Sequence, residues 1–283
     1  MEIHSTIDGM RTASRAARLG GLRVGLVPTM GALHEGHLSL VRAAKQQCDA
    51  VIVSIFVNPL QFGPKEDLAK YPRTFEHDCQ LLNKEEVDFV FAPSLGEMYP
   101  GKALTYVTVE GLSDKLCGRS RPGHFRGVTT VVSKLFHIVQ PDLAFFGQKD
   151  AAQAAIIRRM VRDLNSPVEI MICPIVREAD GLAMSSRNVY LSSPERQSAL
   201  SLYRALQEIQ RSFEQGERKS AHLIGAGKNV IVQEPGARLD YFEIVDPDTL
   251  DPMKEVNRSA LVAVAAFLGT TRLIDNILLN PER

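Results

Sequence analysis

RVGLVPTMGALHEGHLSLVRAAKQQCDAVIVSIFVNP, residues 23–59, decides how the chain folds. It opens on a short β-branched apolar run, RVGLVP (23–28), and closes on a second, AVIVSIFVNP (50–59). Between them, HLSLVRAAKQQC (37–48) carries apolar residues at helical spacing. Two short, almost uninterrupted apolar runs joined by an amphipathic helix form a βαβ unit, because strands buried on both faces show no polar alternation.

The same alternation extends along the chain. RTFEHDCQLLNK (73–84), FRGVTTVVSKLFHIVQ (125–140) and AAQAAIIRRMVRDLN (151–165) have helical periodicity, while DFVFAP (88–93), DLAFFG (142–147) and VEIMICPIV (168–176) read as strands. The expected fold is α/β: a Rossmann-like, doubly wound parallel sheet over residues 1–176. The rhythm then changes. SSPERQSALSLYRALQEIQRSFEQG (192–216) predicts a long helix that starts at a serine cap, has Pro194 in its first turn and ends at Gly216. A second helical stretch spans 220–233, and three strand-like runs follow, at 239–246, 260–269 and 271–279. Residues 177–283 are therefore expected to form a smaller C-terminal α+β domain.

Composition narrows the function. With 283 residues and 45% hydrophobic content the chain can bury sizeable cores. Lys+Arg and Asp+Glu are both 33, so no charge excess draws it to nucleic acid or to an anionic membrane, and neither is expected as a partner. Four cysteines, Cys48, Cys79, Cys117 and Cys173, stand far apart with no C-x-x-C pair, which predicts reduced, buried thiols and no zinc ribbon. No apolar run reaches the roughly 18 residues of a membrane span, and the N-terminal stretch lacks a continuous apolar core, so a cytoplasmic protein is expected.

In open α/β sheets ligands bind beyond the carboxyl ends of the strands. Four strand ends here are rich in polar groups: PTMGALHEGH (28–37), NPLQFG (58–63), GQKD (147–150) and READGLAMSSRN (177–188). For the first, metal ligation, phosphate binding and plain loop packing are all open. His34 and His37 are three apart around a glycine, whereas a zinc-protease H-E-x-x-H needs four on one helical face, so no metal site is expected. Glycines at 31 and 36 permit close backbone approach, and a helix starting near Glu35 would aim free N–H groups at an anion. Neither a P-loop nor a G-x-G-x-x-G fingerprint is present. Lys149 and Arg187 remain to neutralise phosphate, as a point charge and a planar fork.

P-T-M-G-x-L-H-x-G-H, then N-P-x-Q-F, then F-G-x-K-D followed by Gln153, then M-S-S-R-N, together resemble the pantoate–β-alanine ligases. The H-x-G-H element is shared more widely, among nucleotidyltransferases; the ordered combination over residues 28–188 is specific. The resemblance implies a ligase that adenylates (R)-pantoate with ATP, releases pyrophosphate, and then passes the pantoyl group to β-alanine, giving pantothenate and AMP. It implies that Met30, Gly31, Ala32, Leu33, His34, Glu35, Gly36 and His37 bind ATP, with His34 and His37 on its phosphates and His37 a proton donor. Gly147, Gln148, Lys149, Asp150, Val176, Met184, Ser185, Ser186 and Arg187 would also contact the nucleotide. His37, His34, Lys149 and Arg187 are thus the expected catalytic groups. Gln61 would hold pantoate and β-alanine, Gln153 pantoate, and Asn58 and Tyr71 are further pantoate candidates. Magnesium is implied with ATP, held mainly by the nucleotide rather than by the protein, and a homodimer through the larger domain is implied. The C-terminal domain, following the MSSRN loop, is expected to act as a lid.

Two departures are visible: Ala32 where asparagine is common in that family, and Gln148 where glutamate is frequent. The stretch CGRSRPGHFRGV (117–128) resists assignment; a phosphate-facing loop, a solvated connection and a dimer contact all fit it. Two competing functions stay open at this point: a related enzyme adenylating another acid, and a regulatory module that binds ATP without turning it over. The second has no need of Gln61 and Gln153.

Overall fold

The structure is a computed structural model that describes residues 1–64 and 66–281. It forms two compact units. The first comprises Met1–Ser113, Arg121–Gly147 and Ile156–Pro174; the second comprises Asp114–Ser120, Gln148–Ala155 and the described residues from Ile175 onward.

The first unit is built on strands β1 (Glu2–His4), β2 (Val24–Thr29), β3 (Ala50–Ile55), β4 (Phe89–Phe91), β5 (Leu143–Gly147) and β6 (Glu169–Cys173). All pair in parallel, in the order β1-β4-β3-β2-β5-β6. The connections place α1 (Ile7–Leu19), α2 (Glu35–Lys45), α3 (Phe75–Lys84), the short α4 (Leu95–Met98) and α6 (His124–Val139), with α5 (Cys117–Ser120) ahead of it and α7 (Ala151–Asp163) after β5. Val27, Val51, Val53 and Val90 of the strands share a core with Leu38, Val41 and Ala44 of α2 and Leu82 of α3. Leu26 and Ile52 are equally buried, and their side chains point to the opposite face because the strand period is two. α1 and α6 pack on each other and on β2.

The chain order reverses between β2 and β5, which makes their carboxyl ends the switch point of the sheet. β2 runs through Pro28 to Thr29, paired over its last three residues with β3 alone. A residue lacking an N–H is tolerated in a central strand where one ladder has already ended. The run expected as a strand over 168–176 is shorter: β6 stops at Cys173, before Pro174. β1 has no counterpart among the expected elements, since three edge residues, mostly exposed, show no apolar pattern.

In the second unit α8 (Ser193–Glu214), α9 (Ser220–Val232), β7 (Ala237–Val245), β8 (Ala260–Leu268) and β9 (Thr271–Leu279) form a helical layer on a three-stranded antiparallel sheet. α8 begins in a capping box in which Ser192 and Glu195 bond reciprocally, with Pro194 in the first turn. Val262, Val264 and Ala266 of β8 and Leu273 and Leu279 of β9 share a core with Leu202, Leu206 and Ile209 of α8. The opposite face takes residues from two earlier segments of chain. The Lys115 ammonium meets Asp251 at 2.7 Å, Arg119 pairs with Glu243, and the Cys117 thiol lies 3.1 Å from the Tyr241 hydroxyl. No helix among the described residues is long and apolar enough to cross a membrane.

Candidate active site

In the first unit the loop after β2 is shaped by a carboxylate. Asp78 of α3, 1% exposed, accepts hydrogen bonds from the Ala32 and Leu33 backbone N–H groups, both at 2.9 Å, and from the Thr74 hydroxyl at 3.0 Å. Held this way, Gly31 and Ala32 take left-handed φ values of 80° and 51°. A Cβ on Gly31 would come within 3.0 Å of the Asp78 carboxylate and 3.1 Å of Ile55. Ala32 accepts a conformation that asparagine tolerates better, so the alanine here is a small local cost.

The bent loop delivers His34 to the N-cap of α2. The His34 Nδ1 accepts from the Gly36 N–H at 3.1 Å, and the His37 Nδ1 accepts from the His34 N–H at 3.3 Å. The two rings lie 4.1 Å apart, inclined at 44°. An Nδ1 that accepts has no proton, so each neutral imidazole carries its proton on Nε2 and can donate from there. Glu35, in the first turn, pairs with Arg42, which also grips Glu85. Met30 and Leu33 frame the loop, Leu33 buried.

A second group assembles beyond β3. Asn58, 1% exposed, donates to the Gly127 carbonyl at 3.0 Å and to the Gln61 Oε1 at 3.1 Å, and accepts from the Tyr99 hydroxyl at 3.0 Å and the Leu60 N–H at 3.4 Å. All four of its positions are thus taken by protein groups. Burial pushes the Tyr99 phenol up to about 12, so it stays a donor at any physiological pH. The Gln61 Nε2 rests on the Met30 sulfur at 2.9 Å, a weak acceptor. Its carbonyl receives the His124 Nδ1–H at 2.8 Å and Arg121 at 3.3 Å, and Arg121 also donates to the His124 Nε2 at 3.0 Å. Glu66 takes the Arg121 fork at 2.6 and 2.8 Å. Burial opposes its charge, but those hydrogen bonds and the charge of Arg121 hold the carboxyl below its ordinary range. The unassigned stretch 117–128 therefore supplies Arg121 and His124, which set the Gln61 backbone. Tyr71 is buried, edge-on to Phe62 at 5.9 Å. At the end of β5, a Cβ on Gly147 would touch nothing within 4 Å, so the protein itself places no steric demand for glycine there.

In the second unit Gln148, Lys149 and Asp150 form a turn leading into α7, on which Gln153 is half-buried among buried neighbours. The Lys149 Nζ lies 3.9 Å from Asp150. Val176 accepts from the Met184 N–H at 3.0 Å across a hairpin whose turn is Gly181, at φ 98°. Ser185 caps the following turn, its hydroxyl accepting from the Arg187 N–H at 3.3 Å, and Asn188 pins it to Glu178 at 2.8 Å and to the Ala183 carbonyl at 3.2 Å. Met184, Ser185, Ser186 and Arg187 are all half-buried. Among the described residues no three His, Cys, Asp or Glu side chains gather as a metal cluster.

Two imidazoles capping a helix at the switch point of a parallel sheet, with no glycine-rich phosphate loop, define the class by its fold and site: a doubly wound α/β protein with a histidine-capped helix where ligands bind. Residues 2–278 match the family profile described as Pantoate-beta-alanine ligase. The chain is 62% identical over 280 residues to the pantothenate synthetase of Koribacter versatilis, covering 99% of this chain and 96% of that one. The crystal structure of pantothenate synthetase from Thermus thermophilus superposes with a TM-score of 0.94 at 47% identity, over 99% of this chain and all of that one. The pantoate–β-alanine ligase of Francisella tularensis, solved with β,γ-ATP and β-alanine, superposes with a TM-score of 0.82 at 35% identity, over 98% and 97%. The chain belongs to the pantoate–β-alanine ligase family, and its reaction is that of the family, pantoate to pantothenate.

Two outcomes follow. Gly127 lets α6 approach the turn at 59–61; a Cβ there would fall 2.2 Å from the Leu60 oxygen and 2.5 Å from the Gln61 nitrogen, both backbone. Gly127→Ala should therefore destabilise the protein by about 1–2 kcal/mol, overpacking outweighing the gain in helix propensity. An unchanged denaturation midpoint would contradict that packing. For Glu66, a folded-state pKa below the unfolded one means that its stabilisation is present above about 4.5 and is lost as the pH falls below that. The gap in melting temperature between wild type and Glu66→Gln should be constant at neutral pH and close on acidification; a gap independent of pH would refute the pairing.

Proposed function

We propose that the chain makes pantothenate in two steps, with the following division of labour. A pantoate carboxylate oxygen attacks the α-phosphorus of ATP, the bond to the β-phosphate oxygen breaks, and pyrophosphate leaves. The β-alanine amine then attacks the carbonyl carbon of the pantoyl adenylate, sheds a proton, and AMP departs with the former carboxylate oxygen. The observation that carries the assignment is the reciprocal Nδ1 capping of α2, which leaves His34 and His37 as Nε2 donors suited to phosphate oxygens.

Charge accumulates on oxygens that are already anionic, so positioning and electrostatic stabilisation carry the catalysis and no covalent nucleophile is required. His34 and His37 donate to the phosphates, with His37 as proton donor; Lys149 supplies a point charge and Arg187 a fork. Met30–His37, Gly147, Gln148, Asp150, Val176 and Met184–Ser186 complete the contacts to ATP. Gln61 exchanges its weak bond to the Met30 sulfur for a substrate oxygen and serves both acids; Gln153 serves pantoate. Asn58, with every position spent on protein, positions Gln61 rather than touching pantoate, and Tyr71, edge-on to Phe62, is kept as a pantoate contact. Asp78 and Asp275 are spent on backbone N–H groups and on Arg177, so magnesium, arriving with ATP, would be held by phosphate oxygens and water. Family resemblance supports a cytoplasmic homodimer joined through the larger domain, and a lid role for residues 177–283 that would keep water from the anhydride.

Purified protein with ATP and magnesium should release pyrophosphate only when pantoate is present, and AMP only when β-alanine follows. Pyrophosphate release indifferent to pantoate would overturn the assignment of the acid. His37→Ala and Lys149→Ala should each lower kcat by about 10²- to 10⁴-fold. Near-normal turnover in both variants would reject the site.

A further inference from the structure

β9 contains two adjacent buried polar residues in an otherwise mostly apolar strand. Asp275 and Asn276 are each 3% exposed and, being neighbours in a strand, point to opposite faces. Asp275 shares its face with Leu273 and Leu279, toward the helical layer, and receives the Arg177 fork at 2.6 and 2.9 Å. Arg177 also donates to the Gly181 carbonyl at 3.0 Å and stacks 4.4 Å above the Tyr203 ring. Asn276, on the other face, donates from Nδ2 to the carbonyl oxygens of Gln148 at 3.0 Å and Lys149 at 2.9 Å, and its Oδ1 accepts from the Gln148 Nε2 at 3.0 Å.

The amide of Asn276 can point only one way. Two carbonyl oxygens need donors, so Nδ2 faces them, and the Gln148 side chain must then present its own NH₂ to Oδ1. An aspartate at 276 would set oxygen against two carbonyl oxygens, and an alanine would leave both without this partner. Gln148 acquires a reason as well: a charged glutamate at that position would bring no proton to Oδ1.

We propose that Asn276 is a positioning residue for Lys149, fixing the backbone of the 148–150 turn from which the ammonium is aimed. Together with the Asp275–Arg177 pair it ties that turn and the start of the 177–188 segment to one strand, so that Lys149 and Arg187 take their positions from a common support. The proposal rests on the reading of Lys149 as a phosphate-neutralising group.

The test is single-turnover kinetics of the two half-reactions on the full chain: pantoate-dependent pyrophosphate release from ATP, and transfer from supplied pantoyl adenylate to β-alanine. The variants are Asn276→Ala, Asn276→Ser, Lys149→Ala and the double variant Lys149→Ala with Asn276→Ala. Asn276→Ala should slow the first half-reaction by about 10- to 100-fold, the scale of a displaced catalytic group, and leave the second within about threefold. Asn276→Ser, which keeps one donor, should lose less, and it carries the same comparison of half-reactions should the alanine variant fail to fold. Adding Asn276→Ala to Lys149→Ala should cost less than about threefold more, because the two changes remove one function. Equal losses in both half-reactions, or full additivity in the double variant, would overturn the proposal and leave Asn276 a structural residue. A Lys149→Ala enzyme with an unaffected first half-reaction would instead refute the reading of Lys149.

Discussion

Capping of α2 by imidazole nitrogen is the interaction on which the rest depends. A helix N-terminus needs acceptors for its free N–H groups, and serine, threonine, aspartate or asparagine usually supply them. Here His34 and His37 do so through Nδ1. This capping satisfies two backbone donors and, by occupying Nδ1 as an acceptor, fixes the tautomer of both rings. The chemistry proposed for these two rings thus follows from a local folding requirement.

Other buried polar contacts hold, within each unit, the residues proposed to act. Asp78 holds the Gly31–Ala32 bend that brings His34 to the cap. Asn58, wedged between Gly127, Tyr99 and Gln61, holds a glutamine whose own amide is left on a sulfur, the weakest partner in the group. His124 and Arg121 hold the carbonyl of the same residue. In the second unit, β9 does for Lys149 what α3 does for the first loop. Rigid elements thus fix the residues that are proposed to meet substrate, and little of the placement is left to the loops themselves.

Much of this was legible in the sequence, for a physical reason. Apolar runs such as AVIVSI and helical spacing such as that of 37–48 report burial directly, so the parallel sheet and the three strand-like runs 239–246, 260–269 and 271–279 could be read with small boundary errors, while the antiparallel pairing of the latter came from the structure. His34, His37, Lys149 and Arg187 stood out because charged or imidazole groups follow strand ends. Asp78 did not, because an aspartate inside RTFEHDCQLLNK reads as a solvated helix face. Arg121 and His124 lie in a glycine- and proline-containing loop with no periodicity, and Asn276 in a strand where one polar residue resembles any other. Their meaning lies in contacts 45 to 128 positions away along the chain, which local pattern does not encode. The grouping of 114–120 and 148–155 with the second unit has the same origin, for a boundary drawn along the sequence cannot express it.

The tautomer of the two capping histidines is the most direct test. Long-range ¹⁵N–¹H correlation spectra of the ligand-free protein, assigned with His34→Gln and His37→Gln variants, report which ring nitrogen carries the proton. The structure predicts the Nε2–H form for both rings, with Nδ1 unprotonated and accepting from the backbone of α2. An Nδ1–H tautomer at either position would contradict the cap and, with it, the orientation of the donors assigned to ATP.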